Sequence, residues 1–400
     1  MALVSQSFGL RGSFDRQCVL LATSLSKLGV EVHVYCDPQS RTVDAPEVTF
    51  HDIPAVLTDA EGRFKTPVNI LSFAAKATRS LRRDRADYDL VHVAGCTAWE
   101  QDVVTAHDVT KAELWRWPDR GGRKYKAAHL RTRLAPVLQP RVALLRWIER
   151  RQLRSGAFLR VIARTEEVRD DLVNVQGVSP ESIDVIPPAI TVWPSTSDRA
   201  DGLRTSLDVA ADSPIVLFVG HDFERKGLRE AIEALAGLEP SAHLVVAGRG
   251  NSGPFKRAAE RLGVAHRVHF LGGTTTPELF YTGADLLLHP ARWEVWGTPI
   301  IEAMAFGLPV ITTAATGSAR ELQSAAAGVV VEDASPWQLR QALSALLSSP
   351  ERRREMGERG RTAALQFLPE AHAERTLETY TKALQQRADR HRGRQAISAL

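Results

Sequence analysis

The chain of 400 residues contains only three cysteines, Cys18, Cys36 and Cys96. An odd, scattered set forms no disulfide framework and no paired metal-ligand spacing, so a reducing compartment is expected. No apolar run approaches the roughly 18 residues that a membrane-spanning helix needs. The first residues lack the basic start and apolar middle of a signal peptide. These absences predict a cytoplasmic protein without a transmembrane helix.

Composition is ordinary, with 44% apolar and 24% charged residues, which excludes collagen-like and wholly disordered chains. The net charge is only +4, yet residues 111–154 hold 13 Lys and Arg against 3 Asp and Glu. Trp115, Trp117 and Tyr125 lie within this basic segment. Aromatic and basic residues together suit an anionic membrane or glycolipid surface. A solvated helical face is the plain alternative, and nucleic acid is disfavoured.

Short apolar runs alternate with helix-like stretches along the whole chain. The runs in the first half are 2–7, 30–35, 90–94, 103–106, 158–163 and 183–186. Those in the second half are 215–219, 243–247, 268–271, 286–289, 309–312 and 328–331. Such a rhythm predicts parallel sheets covered by helices on both faces. We expect an α/β protein with two doubly wound, Rossmann-like domains that face each other across a cleft.

The domain boundaries follow from composition. We expect an N-terminal domain over residues 1–190 and a C-terminal domain over residues 213–372. Between them, residues 191–212 contain Pro194, several Ser and Thr and no long apolar run, which is typical of a linker. Residues 373–400 are expected to form a helix that returns to the N-terminal domain, followed by a basic tail.

The most informative segment is 285–313, DLLLHPARWEVWGTPIIEAMAFGLPVITT. A buried strand is followed by a loop, and Thr298 is a plausible N-cap with Pro299 in the first helical turn. The backbone N–H groups expected to be free are those of Gly297, Thr298, Ile300 and Ile301. They would form an anion site. Glu302, one turn in, could accept hydrogen bonds from a ribose diol, and Glu294 could reach another hydroxylated group. A plain strand–helix unit with two solvated acids is the alternative.

A second segment, IVLFVGHDFERKGL over residues 215–228, contains a strand that ends at Gly220. Arg225 and Lys226 follow the strand, where their donors could bind phosphate oxygens. A solvated charge pair is the alternative.

Two weaker motifs lie in the first half. The first loop contains Gly9 and Gly12 before Ser13, a possible helix cap, although a tight turn would use the same residues. His107 and Asp108 close a strand, and a carboxylate beside an imidazole can handle a proton. A lone histidine, however, is more often structural.

Together these segments resemble glycosyltransferase family 4, a retaining group with the GT-B fold. The resemblance rests on the E-x7-E spacing of Glu294 and Glu302 before AMAFGLPVI, and on GHDFERKGL, AHLVVAGRG and RVHFLGG. In the first half it rests on RGSFDRQ, TAHD and VIARTEEVRDDL followed by IDVIPPAI. DFERKG and the long basic segment resemble the lipopolysaccharide-core glucosyltransferases of this family.

The resemblance implies a role for each matching position. Arg225 and Lys226 would bind the donor diphosphate, Glu302 the ribose, and Glu294 the sugar hydroxyls. Positions implied near the rest of the donor are Gly12, Gly220, Arg249, Leu271, Gly297, Thr298 and Ile300. Positions implied on the acceptor side are Ser13, Asp15, Arg16, His107 and Asp108. No metal or other cofactor is implied.

We therefore expect a metal-independent, retaining hexosyltransferase at the cytoplasmic face of a membrane. It would use a UDP-sugar, or less favourably a GDP-sugar, and a hydroxyl of a glycolipid or cell-envelope glycan. The alternatives are a non-catalytic sugar-nucleotide-binding subunit and an epimerase or phosphorylase of the same fold. A dinucleotide-dependent dehydrogenase should carry GxGxxG, which the first loop lacks.

Overall fold

The structure is a computed structural model, and it describes residues 1–10, 13–56, 67–107, 140–154, 156–191, 200–210, 212–238, 242–274 and 277–398. The chain divides into two compact units. The first contains residues 1–189 and 369–400, and the second contains residues 190–368.

The first unit is built on a seven-stranded sheet in the order β3-β2-β1-β4-β5-β6-β7, and all its strand pairs are parallel. The strands are β1 (Ala2–Val4), β2 (His33–Cys36), β3 (Thr49–Asp52), β4 (Val91–Ala94), β5 (Val103–Ala106), β6 (Arg160–Ala163) and β7 (Ile183–Val185). The helices are α1 (Ser13–Lys27), α2 (Pro67–Arg83), α3 (Pro140–Gln152), α4 (Glu166–Gln176) and, from the end of the chain, α13 (Pro369–Ser398).

The last helix, α13, is part of the core of this first unit. Ala373, Tyr380 and Ala383 are buried in one apolar cluster with Leu21 and Leu25 of α1. Polar contacts add to this packing, because the Lys382 ammonium lies 2.9 Å from an Asp184 carboxylate oxygen and Arg387 pairs with Asp102. The last helix of the first unit therefore follows the whole second unit in the sequence.

Strand β3 is absent from the sequence-based prediction. Its residues, Thr49–Asp52, are half-buried or exposed, and they form the edge of the sheet beside β2. An edge strand packs less side-chain surface than a central one, so it needs no continuous apolar run. The apolar run that marks the other strands is therefore missing here.

The second unit has a six-stranded parallel sheet in the order β10-β9-β8-β11-β12-β13. The strands are β8 (Ile215–Val219), β9 (His243–Ala247), β10 (Val268–Gly272), β11 (Leu286–His289), β12 (Val310–Thr313) and β13 (Gly328–Val331). The helices are α5 (Ala200–Ser206), α6 (Leu228–Ala236), α7 (Gly253–Arg261), α8 (Glu278–Gly283), α9 (Thr298–Phe306), α10 (Ala319–Ser324), α11 (Pro336–Leu347) and α12 (Pro350–Ala364). The two sheets confirm the prediction of two doubly wound α/β units.

The order of the second sheet decides where a site can form. The chain moves outward from β8 through β9 to β10 and then returns to place β11 on the other side of β8. Leu286 of β11 pairs with Val216 of β8, so the carboxyl ends of both strands meet at one edge. In open parallel sheets such a reversal of strand order leaves a crevice where ligands bind.

The segment expected as a linker contains structure. Helix α5 lies inside residues 191–212, and Leu203 and Val209 are buried with Ile215 and Leu217 of β8. The segment is polar in composition, yet the two apolar side chains suffice to attach helix α5 to the second unit. Within the described ranges, no helix combines the length and apolar character needed to cross a bilayer.

Candidate functional site

The loops after β8 and β11 bring three charged side chains together. One Glu294 oxygen, Oε2, accepts hydrogen bonds from Lys226 Nζ at 2.6 Å and Arg225 Nη1 at 3.0 Å. Arg225 Nη1 also donates to the Trp293 carbonyl at 2.8 Å, and the Arg292 N–H donates to the Arg225 carbonyl at 2.9 Å. The two loops are thus joined through both backbone and side chains, and the charged groups are held at the carboxyl edge of the sheet.

Burial makes this cluster a strong electrostatic feature. The side chains of Lys226 and Glu294 are only 11% and 17% exposed. Burial alone would raise the pKa of Glu294, but the Lys226 ammonium and the Arg225 guanidinium outweigh it and lower the pKa to about 2. Glu294 is therefore an anion at all physiological pH values, and the cluster combines two cations with one carboxylate.

Two glycines make this close approach possible. A Cβ on Gly220 would lie 2.1 Å from Cδ of Lys226, so the lysine stem runs directly over the strand end. Gly227 has φ +76°, and its Cβ would lie 2.0 Å from the Pro290 carbonyl oxygen. Only glycine fits here, since both the left-handed backbone and the neighbouring carbonyl exclude a side chain.

The start of α9 differs from the prediction. The N-cap is Gly297, in the left-handed region at φ +86°, and Thr298 is the first helical residue instead of the cap. The Ile300 N–H is not available as expected, because it donates to the Gly297 carbonyl at 2.9 Å. The glycine forms the turn that a capping side chain would otherwise stabilise, so the threonine is not needed there.

Glu302 lies one turn into α9 and is buried. The Tyr281 hydroxyl of α8 donates a hydrogen bond to Glu302 Oε2 at 2.7 Å, and the Tyr281 ring stacks on Phe306 at 5.2 Å. This tyrosine fixes the carboxylate, yet the sequence analysis did not find it. Tyr281 and Glu302 belong to different helices, and no local pattern joins them.

His289, the last residue of β11, is a second group that the sequence analysis missed. It is fully buried, both ring nitrogens lack a hydrogen-bond partner, and Nε2 lies 4.0 Å from Glu294 Oε2. Burial lowers the pKa of His289 to about 3, so the ring is neutral. The sequence signal that could have identified this residue is a histidine at the end of the apolar run LLLH.

The remaining donor-side positions are spread along the same sheet. Arg249 follows β9, the neighbour of β8, and its N–H donates to His221 Nδ1 at 3.0 Å. Leu271 lies in β10, one strand further out and half-buried. Of the expected positions, the structure thus joins Gly220, Arg225, Lys226 and Glu294 in one cluster, while Glu302 is held by Tyr281.

In the first unit, the loop after β1 leads into α1, which begins at Ser13. Asp15 accepts a hydrogen bond from Ser7, and burial raises the pKa of this carboxyl despite that bond. Arg16 Nη2 donates to the Leu10 carbonyl at 3.3 Å. Gly12 and the side chain of Ser13 lie outside the described part of the chain.

His107 follows β5 and borders a small internal cavity of about 30 Å³. Its ring packs edge-on against Phe14, with centroids 4.0 Å apart, and its Nε2 is buried without a partner. His372 of α13 borders the same cavity and has a buried, unpartnered Nδ1. Burial holds the pKa of His107 well below 6.5, so it is neutral. Asp108, the residue paired with it in the prediction, lies outside the described residues.

Comparison with known proteins identifies the class. Residues 15–192 match the family model described as Glycosyltransferase Family 4, and residues 201–363 match Glycosyl transferases group 1. The crystal structure of WaaG, a glycosyltransferase involved in lipopolysaccharide biosynthesis, has a TM-score of 0.74 at 27% identity and covers 93% of this chain and 98% of that one. The two parallel sheets together with these matches identify the chain as a GT-B glycosyltransferase.

Sequence relatives support the same class. The lipopolysaccharide glucosyltransferase WaaG of Escherichia coli is 33% identical over 239 residues, which are 56% of this chain and 64% of that protein. The D-inositol 3-phosphate glycosyltransferase of Gordonia bronchialis is 28% identical over 399 residues, or 92% and 84% of the two chains. The chain thus has a glycosyltransferase family 4 domain in its first half and a group 1 domain in its second half, and the predicted resemblance is confirmed.

Proposed function

We propose that this chain is a retaining glycosyltransferase that transfers a hexose from a UDP-sugar to a hydroxyl of a glycolipid, lipopolysaccharide or other cell-envelope glycan precursor. The observation that carries the proposal is the buried Arg225–Lys226–Glu294 cluster where β8 and β11 end. Cations at a sheet edge, beside a helix N-terminus, suit a diphosphate that gains negative charge as it leaves.

The donor is assigned to the second unit. Arg225 and Lys226 bind the diphosphate, and their charge makes a metal ion unnecessary for this step. Glu302, fixed by Tyr281, accepts hydrogen bonds from the ribose diol, and Glu294 contacts the sugar hydroxyls. Solved structures of similar fold include Anabaena HepE in complex with UDP-glucose, at a TM-score of 0.69 and 17% identity over 95% of this chain and 98% of that one. The shared fold is compatible with a nucleotide-sugar donor, and UDP is the base proposed here.

The acceptor is assigned to the first unit. There Asp15 and Arg16 lie in the first turn of α1, which follows β1, and His107 directly follows β5. A neutral His107 can accept or donate a hydrogen bond to a hydroxyl without the cost of a buried charge. The proposed reaction replaces the bond from the anomeric carbon to the diphosphate with one to the acceptor oxygen on the same face, and the acceptor proton leaves with the diphosphate.

The donor assignment predicts the effect of Glu302→Ala. Removal of the carboxylate should weaken UDP binding by about 10- to 100-fold, because one or two charge-assisted hydrogen bonds are lost. The measurement is the increase in melting temperature with UDP, GDP, UDP-glucose and GDP-mannose. Tyr281→Phe, which keeps the carboxylate and removes one donor to it, should lose only a few-fold in affinity.

Two outcomes would count against this assignment. A normal UDP shift in Glu302→Ala would refute the ribose role. No shift of the wild-type protein with any of these nucleotides would refute the proposed donor class. A shift without turnover on any hydroxyl acceptor would favour a non-catalytic binding subunit.

We also propose that the basic segment attaches the protein to an anionic membrane. Most of that segment lies outside the described residues, but α3 forms its last part. Trp147 is 49% exposed and packs edge-on against Trp99, with centroids 5.4 Å apart. The Arg151 guanidinium lies 5.5 and 5.9 Å from these two rings. An exposed tryptophan among arginines suits a headgroup region.

The membrane proposal is tested with two charge reversals. Arg150→Glu with Arg154→Glu should weaken binding to phosphatidylglycerol vesicles about tenfold or more, since each surface arginine contributes about 1 kcal/mol. Arg352→Glu with Arg354→Glu on α12 makes the same charge change elsewhere and should have a smaller effect. Equal vesicle binding by the wild-type protein and the α3 variant would remove the membrane proposal.

A further inference from the structure

The site described above already contains an anion. Glu294 Oε2 lies 2.6 Å from Lys226 Nζ and 3.0 Å from Arg225 Nη1, so a single carboxylate oxygen bridges both cations. These are the two groups that the proposed function assigns to the donor diphosphate. A phosphate oxygen that contacts either cation at hydrogen-bond distance must share it with this carboxylate or displace it.

The backbone of Glu294 is fixed on both sides. The Glu294 N–H donates to the Ala315 carbonyl at 3.1 Å, and the Gly317 N–H donates to the Glu294 carbonyl at 3.0 Å. A carboxylate that leaves the two cations must therefore do so by rotation of its side chain. A buried carboxylate that leaves its cations must find other hydrogen-bond donors, or its departure is costly.

We propose that Glu294 is an internal counter-anion that competes with the diphosphate for Arg225 and Lys226 and thereby separates substrate from product. The inference rests on the proposed function. With an intact UDP-sugar, the sugar hydroxyls offer donors to the displaced carboxylate. With UDP alone these donors are absent, and the carboxylate returns to the cations. Glu294 therefore weakens the binding of UDP more than that of the UDP-sugar and promotes release of UDP after transfer.

The neighbouring groups do not replace Glu294 in this role. Asp222 is 55% exposed, and its Oδ2 lies 3.2 Å from Arg225 Nε, on the other side of the guanidinium from Nη1. Its pairing is therefore more screened by solvent. His289 lies 4.0 Å from Glu294 but carries no negative charge.

The test is the affinity of Glu294→Gln for UDP, inorganic pyrophosphate and UDP-glucose, measured by calorimetry with the full chain. The amide removes the charge with little change of shape. UDP and pyrophosphate should bind about tenfold tighter than to the wild-type protein, which corresponds to one charge-assisted hydrogen bond. UDP-glucose should gain less, because the sugar contact is lost. Asp222→Asn makes the same change of net charge and should improve UDP binding by less than about threefold.

The possible outcomes separate the inference from the proposed function. If the wild-type protein binds UDP and Glu294→Gln binds it equally or more weakly, the counter-anion is refuted and the donor site stands. An equal gain for UDP and UDP-glucose would refute the separation of substrate from product. If the wild-type protein binds neither UDP nor UDP-glucose, the proposed function itself fails. Should Glu294→Gln not fold, Glu294→Asp, which withdraws the carboxylate by one methylene, must still bind UDP more tightly than the wild-type protein.

Discussion

The two units bury polar groups in different ways. In the second unit Arg225, Lys226 and Glu294 are charged, and the cost of their burial is offset by direct pairing. In the first unit the rings of His92, which is buried, and of His107, which is half-buried, are neutral, and His92 is held by hydrogen bonds of 2.7 Å with Tyr380 and Thr105. A paired charge cluster suits a polyanionic ligand, whereas neutral nitrogen atoms suit a hydroxyl. The same doubly wound architecture thus accommodates two ways of burying polar groups.

The largest expected effect tests how tightly the charged cluster is packed. Gly227→Ala should destabilise the protein by about 3 kcal/mol, because the left-handed backbone is strained and Cβ collides with Pro290. Gly177, in the first unit, has a similar φ of +71° with no atom within 4 Å of a Cβ. Gly177→Ala should therefore lose only about 1 to 2 kcal/mol. Urea unfolding measures both, and equal losses would show that the contact with Pro290 is unimportant.

The second test removes one charge from the cluster in the second unit, so that it resembles the uncharged groups of the first unit. Lys226→Met keeps an unbranched side chain but removes the ammonium, so UDP affinity should fall about 100-fold through the loss of a buried charge-assisted contact. Calorimetry with UDP measures the change. Arg229→Met is the control, because Arg229 pairs with Glu224 at 3.8 Å near the surface and should change UDP affinity less than about twofold. A similar loss in both variants would indicate a general effect of charge.

The third test concerns pH. Burial lowers the pKa of His92 to about 3, against about 6.5 in the unfolded chain. Between these values the unfolded chain binds a proton that the folded protein does not, so the free energy of unfolding falls as pH falls from 6.5. His92→Gln should remove up to about 1.4 kcal/mol per pH unit from this slope. Urea unfolding between pH 7 and 4 measures it.

Glu294 contributes to stability over a different pH range. Its pKa in the folded protein is about 2, against 4.5 when unpaired, so its contribution to stability is complete above pH 4.5 and is lost only below it. An unchanged slope in His92→Gln would show that His92 does not titrate with unfolding.

Much of the fold could be predicted because its signals are local. All six strands of the second unit coincide with apolar runs that the sequence analysis identified. Predictions failed where local signals were weak or ambiguous. The edge strand β3 has no apolar run, and at the start of α9 both Gly297 and Thr298 suit an N-cap. The donor-site roles of Arg225, Lys226, Glu294 and Glu302 stay predictions until binding is measured.

The sequence by itself determined the type of each unit and the chemistry available at each strand end, since both depend on residues close together in the chain. The tertiary structure decided which of these residues meet. Lys226 and Glu294 are 68 residues apart and are joined only because β11 lies beside β8. His92 meets Tyr380 across 288 residues because α13 packs on the first unit. Such contacts depend on the order of strands and the packing of helices, which no local pattern specifies.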